Sequence, residues 1–427
     1  MRKNIIVTLL SCIVLVNIGI GQIRRELAVT PVMGWNSWNF FGKQDINEKI
    51  AYEVIDAIVA SGLRDAGYNY VVIDGGWRDS VLGAGGSLLP HPEKFPHGIK
   101  PLADYAHSKG LKFGLHTVPG THDCGGNPVG GYGYEEVQVQ QFVDWGIDFI
   151  KLDRCKISGD PCSTCQKDRT GWSEELTKEL YIKWSKLLYN CGREILFSIS
   201  AYNFRDWNPE YCNMSRTTYD IFSQRNKGGA VFNDENRNNS RSFLSVMGCA
   251  EINDQSAKYA GNGYWNDPDM LVTGNEGLNN NEMISHFALW SIMNAPLILG
   301  NDPRNMSAIE KSLLLNKEII AIDQDNSPQG TLVVKNKNYQ IWKKVMTDGS
   351  ISLLLLNLQP DAPLNVTANF KELKLPAKLK VRDVIMNKDL GVVKKRFSKM
   401  LEPHACTLIR VRSKDINAIL YLCNSVS

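Results

Sequence analysis

The chain has 427 residues, 43% of them hydrophobic and 22% charged, with a formal net charge of +3. That length accommodates one large or two ordinary domains with a substantial core. So small a charge, with no long run of one sign, argues against nucleic acid or an anionic membrane as partner.

In chain order, residues 1–21 form a leader: Arg2 and Lys3, an apolar stretch from Ile5 to Ile20, and small Gly19 and Gly21 near a cleavage point. The expected product is secreted or periplasmic, with no membrane span after signal removal. Of ten cysteines, Cys12 lies in the leader and nine remain. Cys162 and Cys165 have metal-knuckle spacing but no second pair, so disulfides in an oxidising compartment are the better expectation. Asn213, Asn238, Asn305 and Asn365 begin glycosylation sequons.

Residues 22–325 alternate short apolar runs with amphipathic ones. Strands are expected at 31–35, 70–74, 112–116, 148–153, 196–201, 217–222, 264–270 and 295–300. Helical stretches lie between them at 47–63, 135–146, 174–190 and 281–294. In the first of these, Ile50, Val54, Ile55, Ile58 and Val59 recur at helical spacing. Eight strands alternating with helices predict a (β/α)8 TIM barrel, with a doubly wound open sheet as the competing arrangement. From 326 to 427 the texture changes to short alternating runs parted by turn residues, which predicts a small antiparallel β-sandwich domain.

In such a barrel, chemistry sits at the carboxyl ends of the strands. Those ends carry Trp35, Asp74, His116, Lys151 with Asp153, Tyr202, Asp220 and Asp269. Lys151 and Asp153 are two apart on one strand and share a face. Either they form a buried ion pair, or a cation keeps a nucleophilic carboxylate ionised. Arg216, Asp220, Asp267 and Asp269 offer the second carboxylate that acid–base work requires. Two carboxylates beside stacking surfaces at Trp35, Trp77 and Tyr202 suit glycoside hydrolysis.

The segments PVMGWNSWNFFG, YVVIDGGW, FIKLDRC, SRTTYDI, YWNDPDML and NAPLILGNDPRNMS, in this order, resemble the signatures of the melibiase family. These are retaining α-galactosidases and α-N-acetylgalactosaminidases built on a (β/α)8 barrel with a C-terminal β-sandwich. The resemblance implies Asp153 as nucleophile and Asp220 as acid/base. It implies sugar-contacting or site-lining roles for Lys151, Arg216, Asp269 and Met270, a pocket-closing Trp35, and a disulfide between Cys124 and Cys155. It further implies no cofactor and no metal, and an oligosaccharide or glycoconjugate substrate. Asp74 matches the first of two adjacent aspartates that grip the sugar's 4- and 6-hydroxyls.

Three positions depart from the family pattern. Gly75 stands where the second aspartate is expected, His116 where a tyrosine is expected, and Ala201 where α-galactosidases carry a glutamate facing the 2-hydroxyl. The segment 156–172 reads as an expanded loop over the site. The expected activity is therefore release of terminal α-galactosyl-type residues. Altered specificity for α-N-acetylgalactosaminides, β-L-arabinopyranosides or α-glucosides, or a catalytically dead carbohydrate-binding barrel, are the competing readings.

Overall fold

The computed structural model describes residues 23–158, 171–238 and 242–413. The leader 1–21, Cys162 and Cys165, most of the loop 156–172 and the tail beyond Ser413 lie outside the described residues. Among the described residues, no helix is long and apolar enough to cross a membrane.

Eight parallel strands form the first body: β1 Met33–Asn36, β2 Tyr70–Ile73, β3 Lys112–Thr117, β4 Phe149–Asp153, β5 Leu196–Ser200, β6 Met214–Arg216, β7 Trp265–Asp267 and β8 Leu297–Leu299. Their order is β7-β6-β5-β4-β3-β2-β1-β8. The ring closes at Leu271, four residues past the end of β7. The Leu271 amide donates to the Ile298 carbonyl (2.8 Å), and the Gly300 amide donates to the Leu271 carbonyl (2.8 Å). The expected strand at 217–222 is displaced. The sixth barrel strand is Met214–Arg216, which pairs with β7, whereas Asp220–Ile221 pairs with Phe243–Leu244 outside the ring. The stretch between them leaves the sheet because Thr217 and Thr218 spend their hydroxyls on Asn253 and on the carbonyls of Asp267 and Pro268.

Helices pack around the strands. The first, α1 (Glu48–Ser61), starts where the Asn47 side chain accepts the Ile50 amide, and stops at Gly62, whose φ of 89° is left-handed. Its face Ala51, Val54, Ile55 and Ile58 is buried. The helices Lys100–Ser108 (α2), Glu135–Asp144 (α3), Glu174–Asn190 (α4), Val246–Asp254 (α5) and Asn280–Ile292 (α6) follow.

Strand parity sorts the barrel side chains. Trp35, Val71, Ile73, Phe113, Leu115, Ile150, Leu152, Phe197 and Ile199 belong to the large core between strands and helices. The alternate residues Tyr70, Val72, Phe149, Leu196, Met214 and Ile298 form a separate apolar cluster. Continuing that second parity toward the carboxyl ends gives Asn36, Asp74, His116, Lys151, Asp153, Ser198 and Arg216. The inside of the barrel thus passes from an apolar floor to a charged rim. Gly34 is required on this side, since a Cβ there would lie 2.5 Å from the Tyr70 carbonyl oxygen.

The second body is antiparallel: β9 Thr331–Lys335, β10 Tyr339–Val345, β11 Ile351–Asn357, β12 Leu364–Asn369, β13 Lys378–Asp383, β14 Lys388–Lys394, β15 Arg396–Leu401 and β16 Cys406–Arg412. Six strands in the order β9-β10-β11-β16-β13-β14 face the β12-β15 pair. Every residue of β11 is buried, although its side chains alternate. Leu353 and Leu355 point into the sandwich core, while Leu354 and Leu356 join the barrel's core. That two-sided burial explains why the strand reads as an unbroken apolar run.

Candidate active site

A cavity of about 380 Å³ opens at the carboxyl ends of the barrel strands. Asp74, His116, Lys151, Asp153, Tyr202, Arg216, Asp220, Asp269 and Met270 all line it. These groups come from strand ends remote in sequence.

One corner is built on β2, β3 and β4. The Lys151 ammonium donates to Asp74 Oδ2 (2.8 Å), which also accepts from Asn36 Nδ2 (2.9 Å), while Asp74 Oδ1 accepts the Gly75 amide (2.8 Å). Asn36 in turn accepts the Trp38 amide (2.8 Å), tying the following helix, Trp38–Asp45, to the same carboxylate. Lys151 therefore pairs with Asp74 rather than with its strand neighbour Asp153. Burial would raise Asp74, but the Lys151 and His116 charges and these hydrogen bonds hold it well below the ordinary carboxylate range. Asp153 is balanced similarly. Burial pushes it up, while the His116 hydrogen bond (Nε2 to Oδ2, 3.4 Å) and the Lys151 charge bring it below its usual value. Lys151 stays protonated, since the carboxylates around it outweigh its own burial.

The other corner belongs to β6 and the loop after β7. Arg216 reaches Asp220 Oδ1 (3.2 Å) and Asp269 Oδ2 (3.0 Å). Asp269 has a φ of 93°, rare for a residue with a side chain. Its oxygens accept the amides of Ile221 and Met270, both at 2.8 Å, which fixes that conformation. Burial raises Asp269 to about 6; Arg216 opposes the rise, and Asp220 and Asp267 add to it. Arg216 itself is held firmly protonated by the surrounding carboxylates.

The two carboxylates differ in access. The Asp153 side chain is 16% exposed and that of Asp220 38% exposed. Cys124 and Cys155 form a disulfide at the rim, with Cα atoms 4.9 Å apart. Together with His116 and Asp153, these cysteines are the one cluster of potential metal ligands among the described residues. The disulfide consumes both thiols, leaving one imidazole and one carboxylate. Tyr202 (φ 65°) stacks on Tyr219 with ring centroids 5.3 Å apart.

Three expected site residues, Trp35, Ala201 and Trp77, do not reach the cavity. Trp35 has the outward parity of β1: it is fully buried in the strand–helix core and donates from Nε1 to the Asn301 carbonyl (2.8 Å). Trp38, three residues later, supplies the aromatic wall instead. Ala201 is likewise outward and packs in the core. Ser200, paired with Asp153 in the register of β4 and β5, has the inward parity. Trp77 is no stacking platform either: it is fully buried and donates to the His116 carbonyl (2.9 Å). Sequence reasoning also missed Lys43, in the helix Trp38–Asp45, Arg78, at the start of the short strand Arg78–Leu82, and Lys94, in a turn, all of which line the cavity. Strand parity was the available signal for Trp38 and Ser200; no local pattern marks the three cations.

A family model described as alpha galactosidase A matches residues 30–325, and one for the alpha galactosidase C-terminal beta sandwich domain matches 336–411. The chain is 38% identical to alpha-galactosidase 2 of Arabidopsis thaliana, over 90% of each chain. It is 33% identical to alpha-galactosidase A of Homo sapiens, over 80% of this chain and 77% of the human one. The crystal structure of alpha-galactosidase I from Mortierella vinacea superposes with a TM-score of 0.82 at 30% identity, covering 91% of this chain and 98% of that one.

Proposed function

Since the chain belongs to the melibiase (α-galactosidase) family of glycoside hydrolases, we propose that it is a secreted, retaining exo-glycosidase releasing terminal α-galactosyl residues from oligosaccharides or glycoconjugates. The observation that carries this reading is the unequal pair of carboxylates in one closed-ended cavity. Asp153, held ionised by His116 and Lys151, attacks the anomeric carbon as the glycosidic bond breaks. Asp220, open to water, donates its proton to the leaving oxygen. Water then enters, Asp220 takes a proton from it, and the resulting attack releases the sugar from Asp153 with retained configuration. The Lys151–Asp74–Asn36 cluster offers fixed partners for the sugar's hydroxyls, and the apolar floor closes the barrel beneath it.

Asp153→Ala is expected to lower kcat on an aryl α-galactoside by on the order of 10³-fold or more. External azide should restore turnover by occupying the vacated space and attacking in its place. Undiminished activity in that variant would remove Asp153 from the mechanism. The leader 1–21 supports export, and N-terminal sequencing of protein from the medium or periplasm tests it; a mature chain still carrying residues 1–21 would contradict cleavage.

A further inference from the structure

The charges of the cavity are arranged unevenly. Lys151 and Arg216 are both paired with carboxylates. The wall around Gly75 and Gly76 instead carries Lys43, Lys94 and Arg78, and none of these three forms an ion pair among the described residues. Lys94 donates to the carbonyls of Lys43 and Gln44, and Arg78 donates to Thr117 Oγ1 and the Val129 carbonyl, both at 3.3 Å. Lys43 is exposed and makes no hydrogen bond from its ammonium among the described residues. Arg78 is buried, and its nearest charged neighbours, Asp123, Asp74 and Asp153, act on it only through space. Asp123 spends both carboxylate oxygens on the backbone amide and side chain of Asn127.

The two glycines make this wall. Gly76 has a φ of 105°, and a Cβ there would lie 2.7 Å from both Cα and O of Lys43. Only glycine lets the Lys43–Gln44 segment close over the strand end. Lys94 then clamps that segment through two carbonyls, so the position of Lys43 is fixed from behind while its ammonium stays free. Gly75 itself adds no side chain, and the carboxylate that lines the cavity with these cations, Asp123, is already bonded to Asn127. His91 adds a further polar edge. Its Nδ1 accepts the Glu93 amide (3.3 Å), which leaves Nε2 as the donor.

Three cations that form no direct ion pair among the described residues, beside the single carboxylate of Asp123 in the same stretch of lining, favour a negatively charged guest there. We propose that the enzyme is selective for glycans bearing an anionic substituent, a sulfate ester or a carboxylate, which the Lys43–Lys94–Arg78 wall receives. This rests on the glycosidase reading above and specifies its substrate class. Neutral galactosides occupy the same cavity but leave the wall unsatisfied.

The test pairs binding with turnover. Calorimetry compares galactose 6-sulfate with galactose. Kinetics compare 4-nitrophenyl α-galactopyranoside with its 6-O-sulfate, and a neutral α-galactosyl disaccharide with one sulfated on the departing sugar. The expected result is a preference of about tenfold or more for a charged probe over its neutral counterpart, weakening as salt is raised. Lys43→Glu should cut that ratio by about tenfold or more. Preference confined to the disaccharide arm would place the anion on the departing sugar and still support the proposal. Equal handling of charged and neutral probes in every arm overturns it, as does a preference that Lys43→Glu and salt leave intact. Should no glycoside be hydrolysed, the proposed function fails, while the calorimetric comparison with galactose 6-sulfate still decides the charge selectivity.

Discussion

The barrel and the sandwich solve opposite problems with the same alternation of side chains. In the sandwich, inward positions such as Leu353, Leu355, Val366 and Phe397 meet one another, and the polar groups of the same parity, Asp383 and Lys399, are spent on each other (2.8 Å). In the barrel, the outward positions do the packing against helices, and the inward ones are released at the rim to carry Asp74, Lys151, Asp153 and Arg216. Stability therefore comes from a shell outside the barrel strands, which leaves their inner end free for charge. The two bodies share β11, whose Leu354 and Leu356 serve the barrel while Leu353 and Leu355 serve the sandwich.

The largest effect should come from disturbing a charge in the rim. Lys151→Met takes the directly bonded ammonium from buried Asp74, leaving Asn36, the Gly75 amide and the more distant His116 (4.0 Å), and deprives Asp153 of a cation. Losing one partner of a buried pair costs about 3–5 kcal/mol, so chemical denaturation should show a large loss beside a collapse in kcat/KM. A stable, fully active Lys151→Met protein would break the contrast drawn above.

Leucine truncations on β11 sharpen it. Leu354→Ala and Leu355→Ala should each cost about 2–5 kcal/mol, but in different places. Heat inactivation should track the calorimetric transition in Leu354→Ala, whereas Leu355→Ala should loosen the sandwich before activity is lost. Identical behaviour of the two variants would mean the bodies unfold as one.

The rim's pH dependence has two signs. Asp153 lies below its unfolded value, so its contribution is present above about pH 4 and is lost as pH falls through the folded value. Asp269, raised to about 6, behaves oppositely: its contribution is complete below the unfolded value and disappears as pH rises through 6. Asp269→Asn should therefore gain on the wild type by about 3 kcal/mol between acid and neutral pH, read from urea midpoints. A difference that does not change with pH would contradict the raised carboxyl.

The smallest expected effect is at Gly75. A Cβ there would sit 3.2 Å from Cζ3 of Trp38, so Gly75→Asp asks the indole to give by a few tenths of an ångström. It would also set a carboxylate among Lys43, Lys94 and Arg78. Selectivity should move toward neutral galactosides by less than about tenfold, about 1 kcal/mol, measured as a ratio of kcat/KM values. Movement toward the sulfated substrate would reverse the sense of the argument.

Much of this was legible in the sequence because strand ends advertise themselves. Apolar runs breaking into Asp74, into Lys151 and Asp153, and into Asp269 mark the rim, and their order carries the family. Parity was the finer signal. Counting by two from Val32 through Gly34 to Asn36 sends Trp35 outward, and counting from Leu196 sends Ala201 outward with it. Asp220 illustrates the limit: it follows a three-residue strand and a loop held by threonine hydroxyls, which no periodicity reveals. The cationic wall was invisible for a similar reason. Lys43, Arg78 and Lys94 come together only because Gly76 admits a backbone crossing and Lys94 pins it.

The ring closure has a mechanical consequence. The stretch from Asp267 to Leu271 both supplies Asp269 to the cavity and fastens β7 to β8 through two hydrogen bonds of Leu271. Trp290 holds the same stretch from outside, donating to the Asp269 carbonyl (2.7 Å). The clasp of the hoop and one finger of its grip are thus a single piece of chain. Slack in that seam would therefore move Asp269 as well.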